Sequence, residues 1–563
     1  MSARAAALSC LLLTAVAAAQ RDAAPAPPRL VVLCSVDQLA AWVFANAEPH
    51  LAADGGFRRL LRDGARFLDC RYEHACTETG PGHATIGTGV PARVHGIVRN
   101  QWWTLEPGKD GRPGKLTYCV ETPMPGLAEL PEGKDRGAAR LLVPTFAASL
   151  EAHVAGSKVA SVSWKDRSAI LMAGADAGIA LWFENSTGRL VTNTAWVEAT
   201  PAWLTQFNAD KSIDGYFGWT WDRCAGPDAY AGLVDDRPYE AVHGNGRKQR
   251  TLPQPVDGGL QAPGSAFYTQ AYASPVGNTM VRLAAEAAVR GMDLGGDAVP
   301  DLLCVSFSST DTIGHAYGPD SVEARDALLR LDQELARLWT FFDERVGKGR
   351  WAVFLTADHG VAPTPEWAKA NGVDAGRGTI FTFVKAAMEA ALREQFGAPP
   401  EGRKYVAHVG EGSCYFDEEL LSARGGDVDA TRLQLARVAA AAAKKVRGIG
   451  DAFATADLLT PTLVRDELRE CLAQALCPGR AGDVQVVVKP YWLDGMTTGA
   501  HGSPHPYDRQ VVGLAMGAGI PAGARFAQRI TPGFGVTLFA AMLEVPRPVN
   551  SAETLPVGLL GTR

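Results

Sequence analysis

Five short runs of consecutive apolar residues punctuate the chain, at 30–35, 159–162, 302–307, 352–356 and 511–516. Each is rich in valine and leucine and none alternates with polar residues, which is the pattern of parallel strands buried on both faces. The stretches between several of them change to a helical period. The clearest, 321–346, places Leu328, Leu331, Leu335, Leu338 and Phe342 at steps of three and four, with Glu323, Arg325, Arg330 and Arg337 on other faces. This alternation predicts an α/β fold: an open, mostly parallel sheet flanked by helices, with right-handed crossovers and ligands bound beyond the carboxyl ends of the strands.

Two stretches rich in Gly, Pro and Trp break the pattern, 101–274 and 366–489. They are expected to be insertions capping the sheet of a single catalytic domain over 21–563, where their loops would shape the mouth of a pocket. No internal repeat is visible. With 563 residues, of which 47% are apolar, the chain can bury a large core and is not expected to be disordered. The formal charge is -6 and no basic run is longer than KKVR at 444–447, so a nucleic-acid partner is not expected.

Residues 1–20 read as a secretory signal peptide: Arg4 opens a positive start, 5–19 is apolar, and Ala17, Ala18 and Ala19 are small enough for cleavage. The apolar run is shorter than the roughly 20 residues that cross a bilayer. A periplasmic or secreted protein without a membrane span is therefore expected. Ten cysteines less Cys10 leave nine, an odd number whose connectivity sequence cannot assign. Cys34 and Cys304 lie in strand-like runs and are expected to be buried thiols. No CxxC pattern is present, so a metal would have to be sought among Asp and His.

Three segments far apart in sequence carry those residues: DTIGH at 311–315, TADHG at 356–360 and TGAHGSPH at 498–505. Asp311 and His315 are four apart and can share one side of a turn. Asp358 and His359 are adjacent at the end of a strand-like run, where Gly360 lets the chain turn away. Asp37 follows the first apolar run, and His501 sits in a Gly-rich loop. Singly, each is as well explained by an ordinary polar loop; together, carboxylate and imidazole suit a pair of zinc ions about 4 Å apart. Thr79, in TETGPGHAT, precedes a stretch that reads as helix and could serve as a nucleophile once its proton is removed, with Thr77 and Thr85 as competing hydroxyls.

In these segments, and in VVLCSVDQ, TGPGHATIGTGVPARVHGIVRN and SWKDRSAI, nearly the whole mature chain resembles the alkaline phosphatase superfamily. Within it, the chain is similar to the phosphate-irrepressible alkaline phosphatases with a threonine nucleophile. The resemblance implies that Asp311, His315 and His501 bind one zinc, and that Asp37, Asp358, His359 and the oxygen of Thr79 bind the other. It also implies that Asn100, Lys165 and Arg167 hold the phosphoryl group. A Lys and a bidentate Arg suit the dianion of a phosphate monoester better than a diester. The expected reaction is monoester hydrolysis through a covalent phosphothreonine, with nucleotide pyrophosphatase/phosphodiesterase activity as the alternative. A sulfatase is disfavoured, because Cys76 begins CTETG and lacks the CxPxR-like maturation pattern. Natural substrate and oligomeric state stay open, a monomer being compatible with the chain.

Overall fold

A computed structural model of the chain describes residues 27–108, 113–240, 250–424, 426–461, 466–549 and 552–560. The expected signal peptide and Cys10 lie outside the described residues. The core is a nine-stranded sheet whose strands, in chain order, are β1 (Leu30–Val36), β2 (Ala65–Arg71), β3 (Val159–Ser163), β4 (Ile179–Phe183), β5 (Leu190–Val191), β6 (Asp301–Phe307), β7 (Trp351–Thr356), β8 (Gln510–Gly517) and β9 (Ala524–Ile530). Their order across the sheet is β9-β2-β8-β7-β1-β6-β3-β4-β5. The central block β7-β1-β6-β3-β4 is wholly parallel. Every residue of β1, β3, β4, β6 and β7 is buried, which is why these runs are apolar without alternation.

The expectation of a parallel strand at 511–516 is corrected: β8 is a strand there, but it runs antiparallel to both β7 and β2. Burial on both faces imposes the same apolar run in either direction, so composition could not reveal the reversal. The helix expected over 321–346 spans Val322–Phe342 and is capped by the Ser321 hydroxyl, which accepts from the Ala324 N–H at 3.0 Å. A π-helical turn, Asp343–Gly347, follows it.

The stretch 101–274 is not one inserted block. Residues 159–191 supply β3, β4 and β5 of the central sheet, and only the flanking material, including a hairpin of Gln101–Pro107 with Pro113–Tyr118, stands apart from it. Further along, residues 406–488 build a separate four-stranded antiparallel sheet on which helices Ile380–Phe396 and Val428–Ala443 pack around their own apolar cluster. None of the described helices is long and apolar enough to cross a membrane. All nine cysteines from Cys34 to Cys477 are unbonded, and Cys34 and Cys304 are buried in β1 and β6.

Candidate active site

The carboxyl ends of the three central strands deliver the acidic residues. Asp37 follows β1, Asp358 follows β7, and Asp311 lies two residues into helix Ser309–Tyr317, which begins just after β6. Because β1 pairs in register with both β6 and β7, the three strand ends lie side by side. Asp37 and Asp358 are fully buried, and Asp311 is 4% exposed.

His359 Nε2 lies 3.4 Å from Asp37 Oδ1 and 3.4 Å from Asp358 Oδ2. On the other side, Asp311 Oδ1 is 3.2 Å from His315 Nε2 and 3.6 Å from His501 Nε2, and the two imidazole nitrogens are 3.2 Å apart. The ligand atoms of Asp37, Asp358 and His359 fall within 4.8 Å of one another, and so do those of Asp311, His359 and His501. His359 therefore stands between the two groups rather than in one alone, because its ring stacks on His501 with centroids 3.6 Å apart.

Each imidazole is oriented by a carbonyl oxygen on its Nδ1 side: Gly499 for His315 at 2.7 Å, Gly360 for His359 at 3.0 Å and Thr77 for His501 at 2.8 Å. An Nδ1–H donated to each leaves Nε2, the atom facing the cluster, as a lone-pair donor suited to a metal. Asp37 Oδ1, Asp358 Oδ2 and His359 Nε2 are buried without a hydrogen-bond partner. Three buried atoms of that kind in one place have an unmet need for a cation, so the residues fit a metal centre.

Electrostatics point the same way. Lys165 Nζ donates to Asp37 Oδ2 and Asp311 Oδ2, each at 2.6 Å. Burial opposes its charge, yet Asp311 and Asp37 outweigh burial and lift the ammonium above its ordinary value. Burial also acts against Asp311 and Asp358. For Asp311, His315 and Lys165 overcome it, and for Asp358, His359 and His83 do, so both stay below the usual carboxylate range. Asp37 is instead pushed well above it, by burial and then by Asp358. Burial depresses His359 and His501, and of the three imidazoles only His315 is raised, where Asp311 overcomes burial. Two ionised carboxylates and a third that burial and Asp358 keep from ionising thus face one ammonium and mostly neutral rings, an arrangement short of positive charge.

Thr79 opens the fully buried helix Thr79–Thr88, and Gly82 one turn on lets that helix approach the end of β7 closely: a Cβ there would lie 2.0 Å from the Asp358 carbonyl oxygen. Thr79 Oγ1 accepts from Lys165 Nζ at 3.3 Å and from Arg167 Nη2 at 3.4 Å. Asn100 is anchored beside it, since its Oδ1 accepts from the Gly80 N–H at 2.7 Å and its own N–H donates to Glu78 Oε2 at 2.8 Å. All ten residues singled out from the sequence, Asp37, Thr79, Asn100, Lys165, Arg167, Asp311, His315, Asp358, His359 and His501, are thus tied into one constellation. The competing hydroxyls are engaged elsewhere: Thr77 donates to the Ser503 carbonyl at 3.0 Å, and Thr85 is bonded to His74 and His95, each at 3.1 Å.

Three supporting residues escaped the sequence reading. Gln38 donates from its backbone to Asp358 Oδ1 at 3.1 Å and from Nε2 to Asp311 Oδ1 at 2.6 Å, from a backbone with φ of 68°. Gly314 makes room for it, as a Cβ there would lie 1.9 Å from Gln38 Oε1. His83 lies 2.8 Å from the Thr79 carbonyl, 2.8 Å from Ser306 Oγ and 3.3 Å from Asp358 Oδ2. Its place four residues after Thr79 on one helix was a signal available in sequence. Tyr118 donates to Asp166 Oδ1 at 2.6 Å and accepts from Arg167 Nη1 at 3.2 Å, fixing the guanidinium from a hairpin distant in sequence.

Comparison with known proteins bears on this geometry. Residues 31–375 match the family model described as type I phosphodiesterase / nucleotide pyrophosphatase. The chain is 31% identical over 505 residues to alkaline phosphatase PhoK of Sphingomonas sp, covering 87% of this chain and 84% of that one. It is 29% identical over 523 residues to alkaline phosphatase PafA of Elizabethkingia meningoseptica, covering 92% of each. The crystal structure of wild-type alkaline phosphatase PafA superposes with a TM-score of 0.84 at 26% identity, over 96% of this chain and 100% of that one.

Proposed function

The chain belongs to the type I phosphodiesterase / nucleotide pyrophosphatase family, and from that premise we propose that it is a metal-dependent alkaline phosphatase that hydrolyses phosphate monoesters through a covalent phosphothreonine. The observation that carries this reading is the placement of the Thr79 hydroxyl within 3.4 Å of both Lys165 and Arg167, at the head of a helix beside the carboxylate and imidazole cluster. The names of its relatives, alkaline phosphatases PhoK and PafA, support it.

Asp311, His315 and His501 would hold one divalent ion, and Asp37, Asp358 and His359 with the Thr79 oxygen the other; the Asp and His donors suit zinc. Such a pair supplies positive charge that lowers the pKa of a hydroxyl and stabilises attacking and leaving oxygens. The protein's own groups then do the rest. Arg167 offers a forked pair of donors and Lys165 a point charge to the non-bridging oxygens of a dianionic phosphoryl group, and Asn100 adds an amide. Positioned by them in line with Thr79 Oγ1, the phosphorus gains a bond to that oxygen as its bond to the ester oxygen breaks and the alcohol departs. Water then attacks the phosphothreonine, returning Thr79 and releasing phosphate.

Export by the segment at 1–20 to the periplasm or beyond is part of this proposal. Trapping tests the chemistry: brief incubation with a labelled monoester and acid quench should leave the label on the peptide containing Thr79, and none on Thr79→Ala. Label on another residue, or none under turnover, overturns the phosphothreonine. The family model's own description favours a second reading, hydrolysis of phosphodiesters. Faster cleavage of bis-p-nitrophenyl phosphate than of p-nitrophenyl phosphate would establish it in place of the first.

A further inference from the structure

Next to the imidazoles of His315 and His501, and bordered by Asn100, the site opens into a cavity of about 330 Å³, large enough for a small organic group. Its far wall comes from the segment 366–494, which contributes none of the ten residues described above. That wall is mostly apolar: Phe381, Leu472, Val486, Val488 and Trp492 line it. Phe381 and Val488 are partly exposed and lie against the apolar cluster of the second sheet, to which Val486 and Trp492 belong, so most of this wall is backed by a packed core.

The polar part of the lining is acidic on balance. Arg99 is spent on Glu78, to which its Nη1 donates at 2.6 Å. Glu411, at the turn between strands Val406–Gly410 and Ser413–Phe416, is pushed up to about 8 by burial and then by Glu78, so it joins the lining as a carboxylate only at alkaline pH, beside the exposed Asp494. At alkaline pH a group that brings its own negative charge into this space meets carboxylates while the one cation among the described lining residues, Arg99, is already paired with Glu78, whereas an apolar group is desolvated against side chains of its own kind.

We propose that this cavity is the subsite for the alcohol portion of the ester, and that it takes an uncharged aryl or alkyl group in preference to one carrying a second anion. The inference rests on the phosphatase reading given above, which supplies the ester. In that reaction the alcohol leaves on the face of phosphorus opposite Thr79. A leaving group lodged next to His315 and His501 remains in contact with the cluster as its bond breaks. Selectivity at this site then comes from the inserted segment, while turnover comes from the strand ends.

The test uses esters of primary alcohols whose leaving oxygens have similar basicity, so that differences report binding. Wild-type protein should hydrolyse phenethyl phosphate with a kcat/KM about tenfold or more above that of ethyl phosphate, the discrimination expected from burying one phenyl group. Phe381→Ala and Val488→Ser should each shrink that ratio severalfold with ethyl phosphate turnover unchanged, which also shows that both variants are folded. Glu411→Gln, assayed at pH 10 where the Glu411 carboxyl is ionised, should raise kcat/KM for phosphoglycolate relative to ethyl phosphate severalfold. Cleavage of ethyl phosphate without preference for phenethyl phosphate in the wild type overturns the subsite and leaves the phosphatase reading standing, as does a ratio unchanged in both variants. Cleavage of neither ester overturns both.

Discussion

Two of the groups of buried carboxylates in this molecule differ in what surrounds them. Asp37, Asp311 and Asp358, at the ends of the central strands, meet Lys165 and three imidazoles, and two of the three are held below the ordinary carboxylate range. Glu240 and Glu323, beside the start of helix Val322–Phe342, are equally buried, but both oxygens of Glu323 and one of Glu240 lack a hydrogen-bond partner. There burial dominates, lifting Glu323 to about 8 and Glu240 to about 7. Burial alone makes a carboxylate into a neutral acid, whereas converging cations and imidazoles keep Asp311 and Asp358 charged against it; Asp37, lifted by burial and by Asp358, is where the positive charge of the first group runs short. The first group offers the donors a metal needs; the second only tolerates its acids.

The sharpest way to break that contrast is to remove the metal that the first group is proposed to hold. Chelation followed by gel filtration should abolish monoester hydrolysis, and zinc should restore it. Thr79→Ala should lose about 10⁴-fold or more in kcat/KM with the metal content intact. Activity that survives exhaustive chelation, verified by elemental assay, would end the claim that the strand-end carboxylates serve a metal. Next in size is the cationic side of the same cluster. Lys165→Ala combined with Arg167→Ala should cost monoester hydrolysis about 10²–10⁴-fold and a diester far less, since a diester has one fewer free oxygen to occupy the pair. Equal losses on both substrates would make the two residues structural.

The second group yields a stability prediction of opposite sign. Its acids are bound as neutral species in the folded protein, so between an ordinary value near 4.5 and the folded value of about 8 the native state holds more protons than the unfolded chain. Stability therefore falls as pH rises through that window; the contribution is complete below about 4.5 and lost above about 8. Glu323→Gln removes the group that must ionise and should be more stable than wild type at pH 9, by an amount on the order of a few kcal/mol. The gain should fade toward pH 5. Parallel melting-temperature profiles for the two proteins across that range would show that Glu323 does not titrate as described.

How much of this was legible in the sequence follows from how local each signal is. Asp311 with His315, and Asp358 with His359, announce themselves because their partners are within four residues and they end apolar runs. Burial on both faces made β1, β3, β6 and β7 visible as uninterrupted apolar stretches, and the same cause hid the direction of β8. Residues 159–191 could be recognised as containing a strand but not separated from the surrounding Gly- and Pro-rich stretch, because sheet membership is settled by pairing with β6 across more than a hundred residues. Gln38 and Tyr118 were invisible for a related reason. Each acts through a contact with a partner remote in sequence, and nothing in its own neighbourhood distinguishes it from an ordinary polar residue.

Gln38 offers the finest test of the contrast, because it asks whether the first group is held in place by more than its cations. Its amide donates to Asp311 Oδ1 at 2.6 Å and its backbone N–H to Asp358 Oδ1 at 3.1 Å, so one residue ties together carboxylates of the two candidate metal sets. Gln38→Ala deletes the first of these bonds and keeps the second. A lost hydrogen bond to a ligand carboxylate loosens its orientation without changing the charge of the site, and outer-shell changes of this type lower metal affinity about 10-fold or more. The variant should need about tenfold more free zinc for half-maximal activity in a buffered titration, while its activity at saturating zinc falls less than about threefold. If half-saturation is unchanged and the plateau drops instead, Gln38 acts on the phosphoryl group and not on the ligands. If both are unchanged, Asp311 is held by Lys165 and His315 alone, and the cationic frame suffices to set the first group apart from the second.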